Sequence, residues 1–207
     1  MNWLAHVFLS ENHIEHQLGN LLADPLKGRA WEGATQMFTK GLQTHLHIDT
    51  FTDSHPLVRQ SKRRLKDKKY LKGVVIDIVY DHLLTKHWKQ FSSKDFKEFT
   101  ADFRRQAPHQ IDGYPDKAKT VINRVVEIKL LSSYTDLEGL GEGFKRIDRR
   151  LSERVLAKET TFGYLPLVAY EMPNIEQDFL EFFPELMGHI GKTLEPNYLE
   201  HWELKKL

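Results

Sequence analysis

The sequence predicts an all-α protein, a helical bundle formed by a single domain that covers residues 1–207. Apolar residues recur at helical spacing through most of the chain, whereas the sustained apolar–polar alternation typical of strands is missing. Glycine and proline fall between the periodic segments, where turns are expected. With 40% hydrophobic and 29% charged residues, the 207-residue chain has the composition of a globular domain with a substantial core.

Helices are expected wherever the helical spacing continues, and turn-forming residues mark their ends. Pro56 and Pro108 each end a helix, because proline lacks the N–H that a helix interior needs, and Gly163 with Pro166 interrupts the pattern later on. The expected helices, in chain order, are residues 2–10, 12–24, 35–54, 57–67, 70–91, 93–106, 115–135, 138–157, 165–171 and 174–203.

The composition excludes several kinds of site. The chain contains no Cys, which excludes disulfides, thiolate metal sites and a cysteine nucleophile, and favours a cytoplasmic location. The first residues lack the basic segment of a signal peptide, and no apolar run approaches the ~18 residues of a membrane span. We therefore expect a cytoplasmic protein with no membrane partner.

Charge is segregated along the chain, although the formal net charge is only +1. Basic residues dominate 59–72 and again 145–158, whereas 171–185 contains acids and no base. This segregation favours an oriented partner or an anionic ligand, with a solvated helix face as the alternative. Nucleic acid is not expected as the partner, because the first basic segment offers one aromatic residue, Tyr70, for base stacking.

Two carboxylates lie in the otherwise apolar stretch GVVIDIVYDHLLTKHW. Asp77 and Asp81 are four residues apart, so in a helix they share one face with Cβ atoms roughly 5–6 Å apart, and His82 follows at once. Burying two unpaired anions costs several kcal/mol. We therefore expect a metal ion, a protonated histidine or an arginine beside them.

The same spacing joins polar residues on other predicted helices: Asn2 with His6, Asn20 with Asp24, and His45 with Asp49 and Asp53. Side chains on four helices that repeat one pattern are expected to line one polar pocket. Carboxylate and imidazole ligands without sulfur suit Mn²⁺, Mg²⁺, Fe²⁺ or Zn²⁺. Such an ion lowers the pKa of bound water and neutralises charge on a phosphoryl group. For a single Asp–His doublet, a structural polar network is the alternative.

Four ordered blocks carry these residues, namely MNWLAHVFLS at the start, GNLLADPLKG at 19–28, GLQTHLHIDTFTD at 41–53 and DIVYDHLLTKHW at 77–88. In these blocks the chain resembles the acyl carrier protein phosphodiesterases, a bacterial family regarded as a non-standard branch of the HD phosphohydrolase superfamily. The similarity is strong up to about Trp88 and weaker beyond it. The resemblance implies an HD-domain-like helical fold.

The resemblance also implies a reaction, in which the phosphodiester joining 4′-phosphopantetheine to a serine of holo-acyl carrier protein is hydrolysed to the apo-protein and free phosphopantetheine. The divalent cation, Mn²⁺ in preference to Mg²⁺, Fe²⁺ or Zn²⁺, is then expected on Asp24, His45, Asp81 and His82. The expected catalytic residues are His6, as the acid that protonates the leaving serine, and Asp49 and Asp77, as further ligands or orienting groups.

The remaining polar residues receive supporting roles on this interpretation. The residues expected to orient the ligands are Asn2, Asn20, Asp53 and His87. The acidic carrier protein is expected to dock on Arg59, Lys62, Arg63, Arg64, Lys66 and Lys69. Two alternatives are an HD-like phosphohydrolase of a nucleotide or other small phosphoester, and a non-catalytic helical module that binds a carrier protein.

Overall fold

Eleven α-helices form the part of the chain that this computed structural model describes, residues 1–66 and 70–203. They are α1 (Trp3–Phe8), α2 (Ile14–Leu22), α3 (Gln36–Ser54), α4 (Pro56–Arg64), α5 (Lys72–Lys86), α6 (Trp88–Phe91), α7 (Phe96–Gln110), α8 (Asp116–Glu127), α9 (Leu137–Asp148), α10 (Glu153–Leu156) and α11 (Leu165–Gly191). Within these residues no strand forms, which confirms the predicted all-α class. No described helix is both long enough and apolar enough to cross a bilayer.

The prolines late in the chain do not end helices as the sequence predicted. Pro108 lies inside α7, and a single 27-residue helix, α11, continues through Pro173 and Pro184 where two helices were expected. Each interior proline costs about 3 kcal/mol. Ile175 and Phe179 belong to an apolar face that is fully buried in the core. Burial of such side chains contributes about 1.5–3 kcal/mol each, so the extended face outweighs the prolines.

Two predicted helices are shorter than expected because local backbone geometry ends them. Lys129 adopts a left-handed conformation with φ of 49°, so α8 stops just before it and a 3-10 turn follows at Leu130–Ser132. The segment expected as one helix at 138–157 is divided into α9 and α10. The 3-10 turn that follows α8 packs against α1.

Helices α2 and α3 approach each other closely through two glycines. A Cβ atom at Gly19 would lie 2.1 Å from the carbonyl oxygen of Phe38, and one at Gly41 would lie 2.2 Å from that of His16. No side chain fits at either position without moving a helix. The contact sets Asn20, on α2, beside His45, on α3.

The acidic segment 171–185 supplies partners for basic residues of the same chain. Asp178 on α11 is buried and accepts hydrogen bonds from Arg64 Nε at 2.8 Å and Arg64 Nη2 at 2.9 Å. Gln60 and Ser61 donate to the same carboxylate. The segregation seen in the sequence is therefore partly neutralised inside the fold, along the contact between α4 and α11.

Candidate metal centre

Two histidines and an aspartate from α1 and α3 converge in one cluster. His6 and His45 stack with ring centroids 4.1 Å apart. Asp49 lies one helical turn after His45, with Oδ2 at 3.0 Å from His45 Nε2 and Oδ1 at 3.4 Å from His6 Nε2. The ligand atoms of the three residues all lie within 4.8 Å of one another. We refer to His6, His45 and Asp49 as the metal centre.

Asn20 fixes the tautomers of both histidines. Its backbone oxygen accepts a hydrogen bond from His45 Nδ1 at 2.9 Å, and its side-chain Oδ1 accepts one from His6 Nδ1 at 2.8 Å. The amide orientation follows from its Nδ2, which donates to the His6 carbonyl and to Ser10 Oγ. Since both Nδ1 atoms carry protons, both Nε2 atoms present lone pairs to the centre when the rings are neutral.

The two Nε2 atoms fit a bound cation. Both are buried and face carboxylate oxygens 3.0–3.4 Å away, so a cation could be held between these nitrogen and oxygen atoms. Asp24 adds a fourth donor, because its Oδ1 lies 3.3 Å from His45 Nε2. Two imidazole nitrogens with carboxylate oxygens and no sulfur are a donor set that suits Mn²⁺, Fe²⁺ or Zn²⁺.

Protonation of these groups reflects their mutual contacts. Burial lowers the pKa of His45, but contacts with Asp24 and Asp49 outweigh it and raise that pKa to about 9. Burial raises the pKa of Asp49, yet the two histidines hold it far below its usual value. Burial, opposed by Asp49, lowers the pKa of His6. Without a bound cation, the positively charged ring of the centre is therefore that of His45, and the ring of His6 is neutral.

Asp77 reaches the same region from α5. Its Oδ1 lies 3.4 Å from the amino group of Met1, which also contacts Asp49 Oδ1 at 3.3 Å. Burial lowers the pKa of this amino group, but Asp77 and Asp49 raise it further than burial lowers it. The amine therefore places a positive charge beside Asp49 and Asp77, whereas the sequence had led us to expect a metal ion, a protonated histidine or an arginine beside Asp77 and Asp81.

Asp81 and His82, expected as ligands, lie outside the metal centre. Asp81 Oδ2 accepts the backbone N–H of Leu4 at 2.9 Å and Oδ1 that of Ala5 at 3.0 Å, so this carboxylate caps the start of α1. Burial raises the pKa of Asp81 to about 7, although these two amides lower it. His82 Nδ1 donates to the carbonyl of Tyr134 at 2.8 Å.

The other predicted residues are distributed over the pocket and the surface. Asn2 lines the cavity beside the centre, whereas Asp53 pairs with Lys62 at 3.0 Å on the surface and His87 binds Glu176. Arg59, Arg63 and Lys66 are exposed, Arg64 is engaged by Asp178, and Lys69 lies outside the described residues.

Two cavities open on the metal centre, and Asp24 and His45 line both. The larger, of about 430 Å³, also contains Asp49, Leu42 and Lys27. Lys27 adopts a left-handed conformation with φ of 55°, a strained backbone of the kind found at binding sites. The smaller, of about 230 Å³, includes His6, Asp77 and Arg150.

Sequence analysis did not assign Arg150 a role. The signal for it was the basic segment 145–158, which lies in the half of the chain where the resemblance is weak.

An all-α fold that brings two histidines and carboxylates together beside open cavities defines a helical protein with a metal-competent site. The chain belongs to the acyl carrier protein phosphodiesterase family, whose profile matches residues 1–186. This confirms the resemblance seen in the sequence blocks. No solved structure matches the chain significantly.

Curated relatives that carry this name cover almost the whole chain. An acyl carrier protein phosphodiesterase of Escherichia coli O6:K15:H31 (strain 536) is 26% identical over 195 residues, 93% of this chain and 98% of the relative. One from Serratia proteamaculans (strain 568) is 26% identical over 189 residues, 90% of this chain and 96% of the relative.

Proposed function

We propose that this protein is a metal-dependent phosphodiesterase that releases 4′-phosphopantetheine from holo-acyl carrier protein and leaves the apo-protein. The observation that carries the proposal is the metal centre, in which His6 and His45 direct their Nε2 atoms toward Asp49 beside two cavities. Membership of the family supplies the substrate class.

His6, His45 and Asp49 would hold the cation, with Asp24 as a further ligand. Mn²⁺ is our preferred ion, with Mg²⁺, Fe²⁺ and Zn²⁺ as the other candidates. Such an ion supplies two effects when bound, since it lowers the pKa of a water and neutralises charge on phosphoryl oxygens. The donor set differs from the one that the sequence implied, because Asp81 is committed to α1.

Other side chains orient the reacting groups. Asn20 holds both imidazole rings in one orientation through their Nδ1 atoms. Asp77 faces the cavity from α5, where its carboxylate can accept a hydrogen bond from the attacking water. His6 serves as a ligand in this proposal rather than as the acid for the leaving serine, because burial lowers its pKa and so favours the neutral ring, which has no proton on Nε2 to give.

The substrate is expected to occupy both openings of the centre. A phosphodiester has two substituents, and Asp24 and His45 lie where the two cavities meet. The larger cavity, about 430 Å³, has room for the flexible pantetheine arm and is lined by apolar Leu42 and Leu46 and by polar Gln43. The carrier-protein side of the diester then faces the other opening.

Exposed bases on α4 provide a docking surface for an acidic protein. Arg59, Arg63 and Lys66 are exposed and form no ion pair with a carboxylate in the described part of the chain. Lys62 pairs with Asp53, which lies one turn of α3 beyond Asp49, about 6 Å along the helix axis. The surface therefore begins next to the metal centre.

The test is mass spectrometry of holo-acyl carrier protein after incubation with the purified chain and Mn²⁺. We expect loss of the complete phosphopantetheine group, no loss with chelator present, and no loss with Asp49→Asn. Retention of the prosthetic group by the wild-type chain in the presence of Mn²⁺, Mg²⁺, Fe²⁺ or Zn²⁺ would refute the proposal. Hydrolysis of small phosphodiesters alone would instead favour an enzyme for small phosphoesters.

A further inference from the structure

Three arginines from the C-terminal half of the chain lie close together, and one of them, Arg150, borders the metal centre. Arg150, just after α9, lines the cavity of about 230 Å³ that contains His6. It also lines a neighbouring cavity of about 240 Å³ together with Arg124 of α8. Trp3 lines both cavities, so the two are adjacent. With Arg146 of α9, these residues form the arginine cluster: Arg124, Arg146 and Arg150.

The arginine cluster has no acidic partner among residues 1–66 and 70–203. The arginine ion pairs found there are those of Arg64 and Arg105. Asp148, the nearest acid in sequence, instead accepts the backbone N–H groups of Thr161 at 2.6 Å and Phe162 at 3.0 Å. The described part of the chain therefore leaves the cluster without a close ion pair, since Glu142 pairs with Lys145 and acts on Arg146 only at longer range.

Two further observations indicate that the arginine cluster is a binding site for an anion. Arg146 Nη1 is buried and has no hydrogen-bond partner, which is uncommon for a buried donor. Partial burial and repulsion from Arg124 and Arg146 lower the pKa of Arg150. Like charges held together without a carboxylate are unfavourable, and a bound anion relieves both the repulsion and the unsatisfied donor.

Negative charge is concentrated elsewhere in the lining of the cavity of about 230 Å³ that contains His6. Asp24 and Asp77 line it, and their negative charges repel an anionic phosphodiester. Arg150 is the one arginine or lysine among the described residues that line this cavity. A guanidinium donates two parallel hydrogen bonds to two phosphate oxygens, which fixes orientation as well as charge.

We propose that Arg150, supported by Arg124 and Arg146, binds the phosphate of the substrate diester beside the metal centre. The inference rests on the proposed function and deepens it, because it assigns the group that holds the phosphorus opposite the ligands. Arg150 then contacts the substrate directly, whereas Arg124 and Arg146 are positioning residues that act through their electrostatic interaction with Arg150.

Anion binding tests the cluster without any turnover. Isothermal titration of the full chain with inorganic phosphate and with 4′-phosphopantetheine is carried out in metal-free buffer. We expect Arg150→Gln to weaken binding of both about 10-fold or more, because a charge-assisted hydrogen bond is lost. The anion affinity of Arg150→Lys should lie between those of the wild type and Arg150→Gln, since lysine keeps the charge but not the two parallel donors. Arg154→Gln removes an equal charge from an exposed position outside both cavities and should leave affinity unchanged.

Kinetics and metal binding separate this role from a structural one. With holo-acyl carrier protein we expect Arg150→Gln to lower kcat/KM about 10- to 100-fold while Tm and Mn²⁺ affinity stay at wild-type values. Equal anion affinity in Arg150→Gln and wild type overturns the inference, as does a parallel loss of Tm. A wild-type chain that binds phosphopantetheine through Arg150 but releases none from holo-acyl carrier protein refutes the phosphodiesterase proposal and supports the anion site.

Discussion

At the residue scale, Asn20 is the residue that hydrogen-bonds both histidines of the metal centre. Its side chain holds His6 and its backbone holds His45, so a single residue on α2 fixes rings from α1 and α3. Groups that orient metal-binding histidines in this way contribute strongly to affinity, because a wrong tautomer places a proton where the lone pair is needed.

We predict that Asn20→Leu lowers Mn²⁺ affinity about 10- to 100-fold, the usual effect of removing an orienting partner. Asn20→Asp keeps an acceptor for His6 Nδ1 and should retain more of the affinity. Isothermal titration with Mn²⁺ measures the change. Asn174→Leu is the matched control, since its amide bonds Glu171 on α11, outside the metal centre. Equal affinity in Asn20→Leu and wild type would show that another group sets the tautomers.

His16 gives a prediction for acid stability. It is fully buried on α2, with Nε2 3.1 Å from Thr44 Oγ1. Burial lowers its pKa from the ordinary 6.5 to about 4, despite the attraction of Glu11 and with a small repulsion from Lys40 and His13. In the unfolded chain His16 therefore binds a proton below about pH 6.5, whereas in the folded chain it binds one only below about pH 4.

The sign follows from this difference in bound protons. The contribution of His16 to the free energy of unfolding is complete above pH 6.5 and is lost as the pH falls to about 4, a loss on the order of 3 kcal/mol. Urea denaturation at pH 7.5 and pH 5 should show a smaller pH dependence in His16→Gln than in wild type. Exposed His109→Gln should retain the wild-type dependence. A His16→Gln profile parallel to wild type would contradict the prediction.

Part of the site was predictable at this scale and part was not. The four-residue spacing placed His45 and Asp49 on one face of α3, because that spacing is a property of one helix, whereas Asp24 lies in the turn after α2. The role of Asp81 depends on amides 76 and 77 positions away, which no local pattern contains. The groups that partner this buried carboxylate are two backbone amides of α1.

At the element scale, the approach of α2 to α3 determines whether the metal centre exists. The two helices touch through Gly19 and Gly41, and the resulting short separation allows His45 Nδ1 to reach the Asn20 carbonyl. A wider separation would break that hydrogen bond and release the ring.

We predict that Gly41→Ala destabilises the protein by roughly 1–3 kcal/mol and weakens Mn²⁺ binding as well, because its Cβ would meet backbone at 2.2 Å. Urea denaturation and Mn²⁺ titration measure the two effects. The control is Gly188→Ala on α11, where a Cβ meets nothing within 4 Å. That change should stabilise the helix by up to about 1 kcal/mol and leave Mn²⁺ affinity alone. A stable Gly41→Ala protein with normal metal binding would contradict this account of the contact.

The helices themselves were largely predictable, except where tertiary packing overrode a local signal. Proline is a strong helix breaker in isolation, yet Pro173 and Pro184 lie within α11 because the helix continues to bury apolar residues on both sides of them. The left-handed Lys129 had the opposite effect and ended α8 early without a glycine to mark the position.

At the scale of the whole molecule, charge is divided between internal pairing and an exposed surface. Asp178 and Glu176 on α11 neutralise Arg64 and Lys86, so these bases are not available to a partner. A sequence cannot separate such bases from exposed ones, since both types lie in the same segment. Burial of Asp178 is what distinguishes Arg64.

The exposed bases yield a prediction about recognition. Arg63→Glu combined with Lys66→Glu should raise KM for holo-acyl carrier protein and leave kcat nearly unchanged, because surface charges act on association more than on the transition state. The KM of the wild-type chain should rise with salt, since exposed charges are screened over about 8–10 Å, and the double variant should respond less. Lys145→Glu with Lys158→Glu is the matched reversal elsewhere on the surface. A salt-independent KM in the wild type would show that these bases do not attract the carrier protein and form only a solvated helix face.

The cap that Asp81 places on α1 has a consequence for the order of folding. Helix α1 has six residues, fewer than the ~12–15 at which an isolated helix becomes even marginally stable in water. We therefore expect α1 to become stably helical as it packs against the rest of the fold, including α5, whose Asp81 lies 77 positions from Leu4. Before that event His6 has no fixed place, and a nascent molecule can offer a cation only the donors of α2 and α3. Under the proposed function, tight binding of a cation would therefore require α1 to be folded in place.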